Sequence, residues 1–182
     1  MSTARTKTAR TAKTEAAIVQ ALAELICELP LSKITLTALA KKSGLTRSTV
    51  YNQITSISHA SLVLSEVVWQ EVQTLATSDT SLQSTLSRLT DFLATDARIQ
   101  GFRKHNPEMF QEVLASLCRL DNDTYAQRVS DLLLLWSVAA DLDTATTLTR
   151  WLTSFAVEPG TPRERESASE IFAAMLVMDS RV

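Results

Sequence analysis

The chain has 182 residues, 45% of them hydrophobic, and a net charge of −2, a composition typical of a folded globular protein. Its three glycines, Gly44, Gly101 and Gly160, lie too far apart to form a Gly-rich phosphate-binding loop, which excludes the common nucleotide sites. Because there are also only four prolines, turns are few and we expect an all-α fold.

The residues that carry most enzyme and metal chemistry are scarce and scattered. Cys27 and Cys118 stand in apolar helical patterns, and His59 and His105 have no metal-ligand spacing. No acid–base pair or activated serine motif is present, so we expect no enzyme activity, no cofactor and no metal ion. The longest strongly apolar run, 132–140, is too short to cross a membrane, and the basic N-terminus does not resemble a secretory signal. We therefore expect a cytoplasmic protein.

The first segment, residues 1–13, is basic and contains no acidic residue. Arg5, Lys7, Arg10 and Lys13 alternate with threonine and alanine, and the segment lacks the apolar residues needed to order it. It is predicted to be a flexible basic arm.

Apolar residues at helical spacing then predict nine helices. Thr35 and Thr46 are good N-caps, and Pro30 ends the first helix. Phe102 to His105, between the fifth and sixth helices, is interpreted as a cavity entrance or a polar connector. The predicted ranges are 14–29, 35–44, 46–54, 58–77, 80–97, 106–119, 122–140, 143–156 and 163–178.

The window from Thr35 to Ile54, TLTALAKKSGLTRSTVYNQI, has the pattern of a helix-turn-helix. Gly44 can adopt the left-handed conformation of the turn, and Ala40 is small enough for a close helix crossing. The second helix of the motif exposes side chains suited to base edges and phosphates, and the helix N-termini suit phosphate. The predicted DNA-binding residues are Thr35, Thr46, Arg47, Ser48, Thr49, Tyr51 and Asn52.

The stretch ITLTALAKKSGLTRSTVYNQI, 34–54, resembles the TetR family of bacterial transcriptional regulators. The resemblance covers about the first 60 residues. It implies a three-helix DNA-binding domain at 14–57 and a helical effector-binding and dimerisation domain at 58–182. It also implies a homodimer on a double-stranded DNA operator in the bacterial nucleoid, commonly a repressor released by a small molecule. By the same resemblance, the basic arm with Arg5, Lys7, Arg10 and Lys13 would reach the adjacent minor groove or backbone of the DNA.

The net charge has opposite signs in the two parts of the chain, with the positive charge in the part that would bind DNA. Residues 1–57, which we call the head, contain eight basic and three acidic residues, a net charge of +5. Residues 58–182, the body, contain ten basic and seventeen acidic residues, a net charge of −7. Because phosphate neutralisation supplies most non-specific DNA affinity, the head is the predicted DNA-binding end.

The body contains candidates for an effector pocket and a dimer interface, although the same residues would also suit an ordinary core. The pocket candidates are Trp69, Phe92, Phe102, Met109, Trp136 and Trp151. The interface candidates are Leu148, Leu152, Phe155, Ile171, Phe172, Met175 and Leu176. Two alternatives stay open: an effector-independent helix-turn-helix DNA-binding or adaptor protein, which a filled core would favour, and a helical enzyme with an unrecognised site.

Overall fold

Ten α-helices are present in the part of the chain that the computed structural model describes, residues 2–78, 81–119, 123–136, 138 and 141–179. A 3₁₀ turn, Leu31–Lys33, joins the first two helices, and these described residues contain no strand. The all-α prediction is confirmed. In chain order the helices are α1 (Ser2–Glu28), α2 (Leu36–Ser43), α3 (Arg47–Gln53), α4 (Ile57–Thr77), α5 (Leu82–Thr95), α6 (Ala97–His105), α7 (Pro107–Arg119), α8 (Asp123–Leu135), α9 (Leu142–Val157) and α10 (Pro162–Asp179).

Helix α6 is the element that the predicted set of nine lacks. Asp96 ends α5 and begins α6, because its carboxylate accepts hydrogen bonds from the backbone N–H groups of Arg98 (2.9 Å) and Ile99 (3.2 Å). Basic residues fill the last turn, where they complement the helix dipole. The stretch 102–105 is therefore the end of a helix and not a connector.

Helix α1 also differs from the prediction, since it includes residues 2–13, the predicted flexible arm. Between Ser2 and Glu28 there is no glycine or proline to interrupt the helix, and alanine, lysine and arginine favour it. Lys13 is exposed on this helix, whereas the side chains of Arg5, Lys7 and Arg10 lie outside the described residues.

The first hydrophobic core joins α1, α2 and α3 to the start of α4. Ile18, Leu22, Leu39, Val50 and Ile54 are each at most 1% exposed. Burial of these aliphatic side chains supplies the free energy that holds the short helices α2 and α3 in place.

Helix α6 packs directly on α1 through Gly101. A Cβ at this position would lie 2.5 Å from the Cα of Cys27, a distance that real Cβ atoms do not reach. The Cys27 thiol bonds to Ala23 O (3.1 Å), and burial, followed by the charge of Asp96, raises its pKa. The first helix of the head and a helix of the body are therefore in backbone contact.

The second core joins α5, α8, α9 and α10, with Leu86, Leu133 and Leu148 at most 1% exposed. Arg165, 5% exposed, bonds Asp91 of α5 (2.5 Å) and the carbonyls of Pro159 (2.9 Å) and Gly160 (3.1 Å). It therefore fixes the start of α10 to α5 and to the loop before it.

Helix α8 ends earlier than the predicted range 122–140. The backbone N–H of Trp136 reaches both Leu132 O and Leu133 O at 3.1 Å, and Val138 N–H bonds Leu133 O, which closes the helix. Trp136 then points its indole N–H to Ala76 O at the end of α4 (3.1 Å). Residues 137, 139 and 140 of the predicted range lie outside the described residues.

Among the residues described, no helix combines the length and apolar character needed to span a bilayer. Across the same residues, no group of three or more His, Cys, Asp or Glu side chains is arranged to hold a metal ion.

Candidate functional site

Local capping builds the helix-turn-helix as its sequence predicts. The Thr35 hydroxyl accepts from Ala38 N–H at the start of α2 (3.1 Å), and Thr46 accepts from Thr49 N–H at the start of α3 (3.2 Å). Gly44 ends α2 with φ +69°, the left-handed conformation that costs an L side chain energy. Ala40 is 3% exposed beneath the turn. The predicted caps and turn residues are confirmed.

Helix α3 presents a polar face to solvent while Val50 anchors it to the core. Arg47, Ser48, Tyr51 and Asn52 are all exposed, with Tyr51 52% exposed. These side chains provide one guanidinium, two hydroxyls and an amide on one short helix, the groups that recognise base edges and phosphates.

The remaining predicted residue of α3, Thr49, is half-buried and has a different role from its neighbours. Its hydroxyl lies 2.8 Å from that of Thr46, which is also 2.9 Å from the Ser48 hydroxyl. These three side chains therefore form a hydroxyl cluster that rigidifies the first turn of α3.

One of the two lysines at the end of α2 forms ion pairs within the head. Lys42 contacts Glu24 (3.2 Å) and Glu28 (3.7 Å) on α1. The hydrogen bond from Gln20, followed by that from Lys42, lowers the pKa of Glu24, and Glu24 in turn raises the pKa of Lys42. Lys41, beside Lys42, is exposed at the end of α2.

A cavity of about 510 Å³ lies within the body, next to α1 of the head. Its wall takes residues from α1, α4, α5, α6, α7, α8 and α9, including Ile26 of the head and Leu64, Val68 and Val72 of α4. The wall is predominantly aliphatic and aromatic, and the volume lies within the range of small-molecule sites.

Arg98, on α6, is a charged member of this wall and is held by two acidic residues. Its guanidinium bonds Glu71 of α4 at Oε1 (3.0 Å) and also at Oε2, and bonds Asp96 at Oδ1 (3.0 Å) and Oδ2 (2.7 Å). The bonds to Glu71, followed by those to Asp96, raise the pKa of Arg98, so the side chain stays ionised. This ion pair joins α4 to the start of α6.

Three of the six predicted pocket residues line the cavity: Trp69, Phe102 and Trp136. The other three do not. Phe92 lies beneath the Arg98 guanidinium (5.9 Å to the ring centroid), and Met109 is 43% exposed on the outer face of α7. Trp151 stacks on Phe172 of α10 at 4.2 Å. Helical spacing groups residues on a face, but it does not show which neighbour that face meets.

Comparison with known proteins identifies the fold. No family model matches the chain, and no curated protein matches it. A solved structure that does match is the TetR family repressor AlkX from Dietzia sp., implicated in biodegradation of n-alkanes. The TM-score is 0.59 at 18% identity, over 92% of this chain and 98% of that chain. The chain has the fold of a TetR-family repressor. The predicted resemblance is thus confirmed for the fold.

Within this TetR-like fold, most of the predicted interface residues turn inward. Leu148 and Leu152 line the cavity, and Phe172 and Leu176 are 9% and 7% exposed in the second core. Phe155 packs edge-on against Trp151, at 5.4 Å. For these five residues the apolar stripe packs within the chain, which is the ordinary-core alternative that the sequence left open.

Two predicted interface residues do face outward on the last helix of the TetR-like fold. Ile171 is 60% exposed and Met175 is 59% exposed, and Ala174 is exposed beside them. Positions three and four apart share a helix face, so these residues form one apolar stripe.

Sequence reasoning missed Ile26 and Arg98 as residues of the cavity wall, and Glu71 as the partner of Arg98. Apolar spacing predicts only that Ile26 lies on the buried face of the first helix, and nothing in the sequence around Glu71 and Arg98 indicates that the two side chains pair. Predicting the ion pair would have required predicting α6, because the first turn of that helix brings Arg98 to Glu71 and Asp96.

Proposed function

We propose that this protein is a TetR-like transcriptional regulator that binds a palindromic double-stranded DNA operator as a homodimer and represses transcription. The observation that carries the proposal is the exposed face of α3, with Arg47, Tyr51 and Asn52 on a capped helix held by a left-handed Gly44. The head's charge of +5 supplies attraction to phosphates, and α3 is the element that would enter the major groove.

A second copy is needed because one short helix reads few base pairs. Two recognition helices spaced about 34 Å apart match successive major grooves on one side of DNA. The exposed apolar stripe at Ile171, Ala174 and Met175 supports a pairing surface on α10, since a polar helix face would be expected there in a monomer.

The cavity favours a regulator that responds to a small molecule over the effector-independent alternative. Helix α4 contributes Leu64, Val68 and Trp69 to the wall, and only three residues, 54–56, connect it to α3. A ligand that binds more tightly to one position of α4 would shift the two heads relative to each other and release the operator. The protein would act in the bacterial cytoplasm.

DNA selection tests the proposal. The full chain would be used to select duplexes from a random library, and the enriched pool sequenced and measured by gel shift. We expect an inverted repeat whose half-sites are about one helical turn apart. Enrichment of no sequence at low salt would contradict sequence-specific regulation.

A further inference from the structure

The cavity opens to solvent at a position that follows from the exposure of its wall. Among the described residues that line it, three are exposed: Ser65 on α4, and Val113 and Ser116 on α7. The other lining residues are buried or half-buried. The opening therefore lies between α4 and α7, near the middle of α4.

An ion pair between α8 and α4 stands beside this opening. Arg128 of α8 donates a hydrogen bond to the carboxylate of Glu66 on α4 (2.8 Å). Glu66 directly follows Ser65, which is exposed at the opening. Arg128 directly precedes Val129, which lines the cavity. The side chains of Arg128 and Glu66 are 25% and 47% exposed, so the pair lies at the boundary between the cavity wall and solvent.

The same arginine also contacts a side chain of the cavity wall. Its guanidinium lies over the ring of Trp69, 5.4 Å from the centroid, and Trp69 lines the cavity. A cation in this position is attracted to the face of the indole. Glu66 and Trp69 are three positions apart and share one face of α4, so Arg128 contacts both. It therefore joins α8 to α4 twice beside the opening.

We propose that Arg128, Glu66 and Trp69 form a latch over the opening, and that a small molecule enters and leaves the cavity there when the latch opens. This inference rests on the proposed function only in taking the cavity to be a small-molecule site. An ion pair this exposed is worth a factor of about two to five in an equilibrium constant, so it opens readily. A latch of this kind closes the empty and the occupied cavity alike. Weakening it therefore changes the rates of entry and exit and leaves the affinity unchanged.

Stopped-flow fluorescence with Nile red tests the latch on the full chain without DNA. This dye is uncharged and apolar, and its emission rises when it leaves water for an apolar site. Glu66→Gln removes the charge, so we expect the association and dissociation rate constants both to rise by about twofold to fivefold at an unchanged Kd. A rise in the dissociation rate constant alone overturns the latch, since Glu66 would then only stabilise the bound state. Unchanged rate constants overturn it as well.

Two further variants show whether the effect belongs to this position. Glu24→Gln is the matched control, because it breaks the bond to Lys42 (3.2 Å), a pair of similar exposure in the head, and should leave both rate constants unchanged. Glu71→Gln tests a rival opening between α4 and α6, where Glu71 bonds Arg98 (3.0 Å). Faster exchange in Glu71→Gln but not in Glu66→Gln would overturn the proposed position.

Arg128→Gln removes the other side of the latch. It should raise both rate constants at least as much as Glu66→Gln, because the contact with Trp69 is lost as well. Once Arg128 is replaced, Glu66→Gln has no ion pair left to break, so the double variant should exchange the dye as fast as Arg128→Gln alone. Effects that simply multiply would show that the two residues act independently, which overturns the latch.

Ionic strength provides a test that needs no variant. Because Nile red is uncharged, added NaCl acts on its exchange mainly through the charges of the protein. Between about 0.05 and about 0.5 M NaCl, exchange should become faster in the wild type and change less in Arg128→Gln. An equal response of the two proteins contradicts an ionic latch. No operator is used, so failure of the DNA selection would leave this result standing, whereas absence of saturable Nile red binding would overturn the small-molecule site itself.

Discussion

The side-chain carbonyl of Asn106 accepts a hydrogen bond from the backbone N–H of Leu31 at 2.8 Å. Asn106 lies between α6 and α7 of the body, whereas Leu31 begins the 3₁₀ turn between α1 and α2 of the head. The sequence predicts a helix over 106–119, and in the structure Pro107 is the first residue of that helix. The asparagine side chain, however, joins the head to the body.

Asn106→Ala is expected to lower the free energy of unfolding by about 1–3 kcal/mol, because the half-buried N–H of Leu31 loses its acceptor. Urea denaturation measures the change. Asn52→Ala is the matched control on exposed α3 and should change stability by less than about 0.5 kcal/mol. Equal effects of the two variants would contradict a stabilising role for this bond.

Gly101→Ala is expected to force α6 away from α1, because the new Cβ would meet the backbone of Cys27 at 2.5 Å. Such overpacking costs about 1–3 kcal/mol of stability. Urea denaturation measures that loss, and since Ile26, Ile99 and Phe102 on these helices line the cavity, ligand binding there should weaken as well.

Gly44→Ala is the comparison for that variant. Its Cβ would meet nothing within 4 Å, so the cost is the left-handed conformation alone, about 1–2 kcal/mol. Ligand binding by the folded protein should be unchanged. Loss of ligand binding in Gly44→Ala but not in Gly101→Ala would contradict this placement of the cavity.

Arg47→Ala tests sequence reading by α3. If Arg47 contacts a guanine, discrimination between the selected operator and single-base variants should fall by about 1–3 kcal/mol at the contacted position, measured by gel shift. Lys41→Ala on α2 is the control and should weaken binding to all sequences alike. Uniform weakening by Arg47→Ala, with a shallower salt dependence, would instead identify a phosphate contact.

The double variant Ile171→Glu, Met175→Glu tests the pairing surface on α10. Two like charges on each copy would face one another in a symmetric interface, so we expect a monomer in sedimentation velocity at a concentration where the wild type is dimeric. Leu62→Glu, at a position 70% exposed on α4, should leave the oligomeric state unchanged. A double variant that remains dimeric would contradict an interface on this face of α10.

Asp141→Asn tests a pH-dependent helix cap. The Asp141 carboxylate accepts from Thr144 N–H (2.9 Å) and Thr144 Oγ1 (2.8 Å), and these bonds, the backbone one first, lower its pKa. A group whose pKa is lower in the folded chain stabilises the fold above its unfolded pKa, and that contribution is lost as the pH falls through the folded pKa.

The melting temperature of wild-type protein should therefore exceed that of Asp141→Asn by more at about pH 7 than at about pH 3. Thermal unfolding followed by circular dichroism measures both. Asp143→Asn removes a charge from the same helical turn but leaves the cap bonds intact, so it should show a smaller pH-dependent difference. A constant difference for Asp141→Asn would contradict the cap.

The sequence predicts the helix-turn-helix almost to the residue because its signals are local. Thr35, Gly44 and Thr46 each fix a helix end through a cap or a backbone conformation that depends on near neighbours. The body lacks such signals. Helix α6 has few apolar residues, and its packing depends on Gly101 meeting Cys27, seventy-four positions earlier in the chain.

The residues in and around the cavity also could not be assigned from local sequence. Trp69 and Trp151 have similar apolar surroundings in the sequence, yet one lines the cavity and the other stacks on Phe172. Ile171 and Phe172 are adjacent, and only the first is exposed. Which side of a helix meets solvent, a neighbour or an empty space is decided by tertiary packing.

The continuity of α1 links the basic segment to the cavity wall. Lys13, the last residue of the basic segment, and Ile26, in the cavity wall, lie thirteen residues apart on one uninterrupted helix, about 20 Å along its axis. Because no hinge lies between them, a tilt of the helix at one end also displaces the other end. If the basic turns of α1 contact DNA, ligand binding in the cavity would alter that contact through α1 itself, without involving α3.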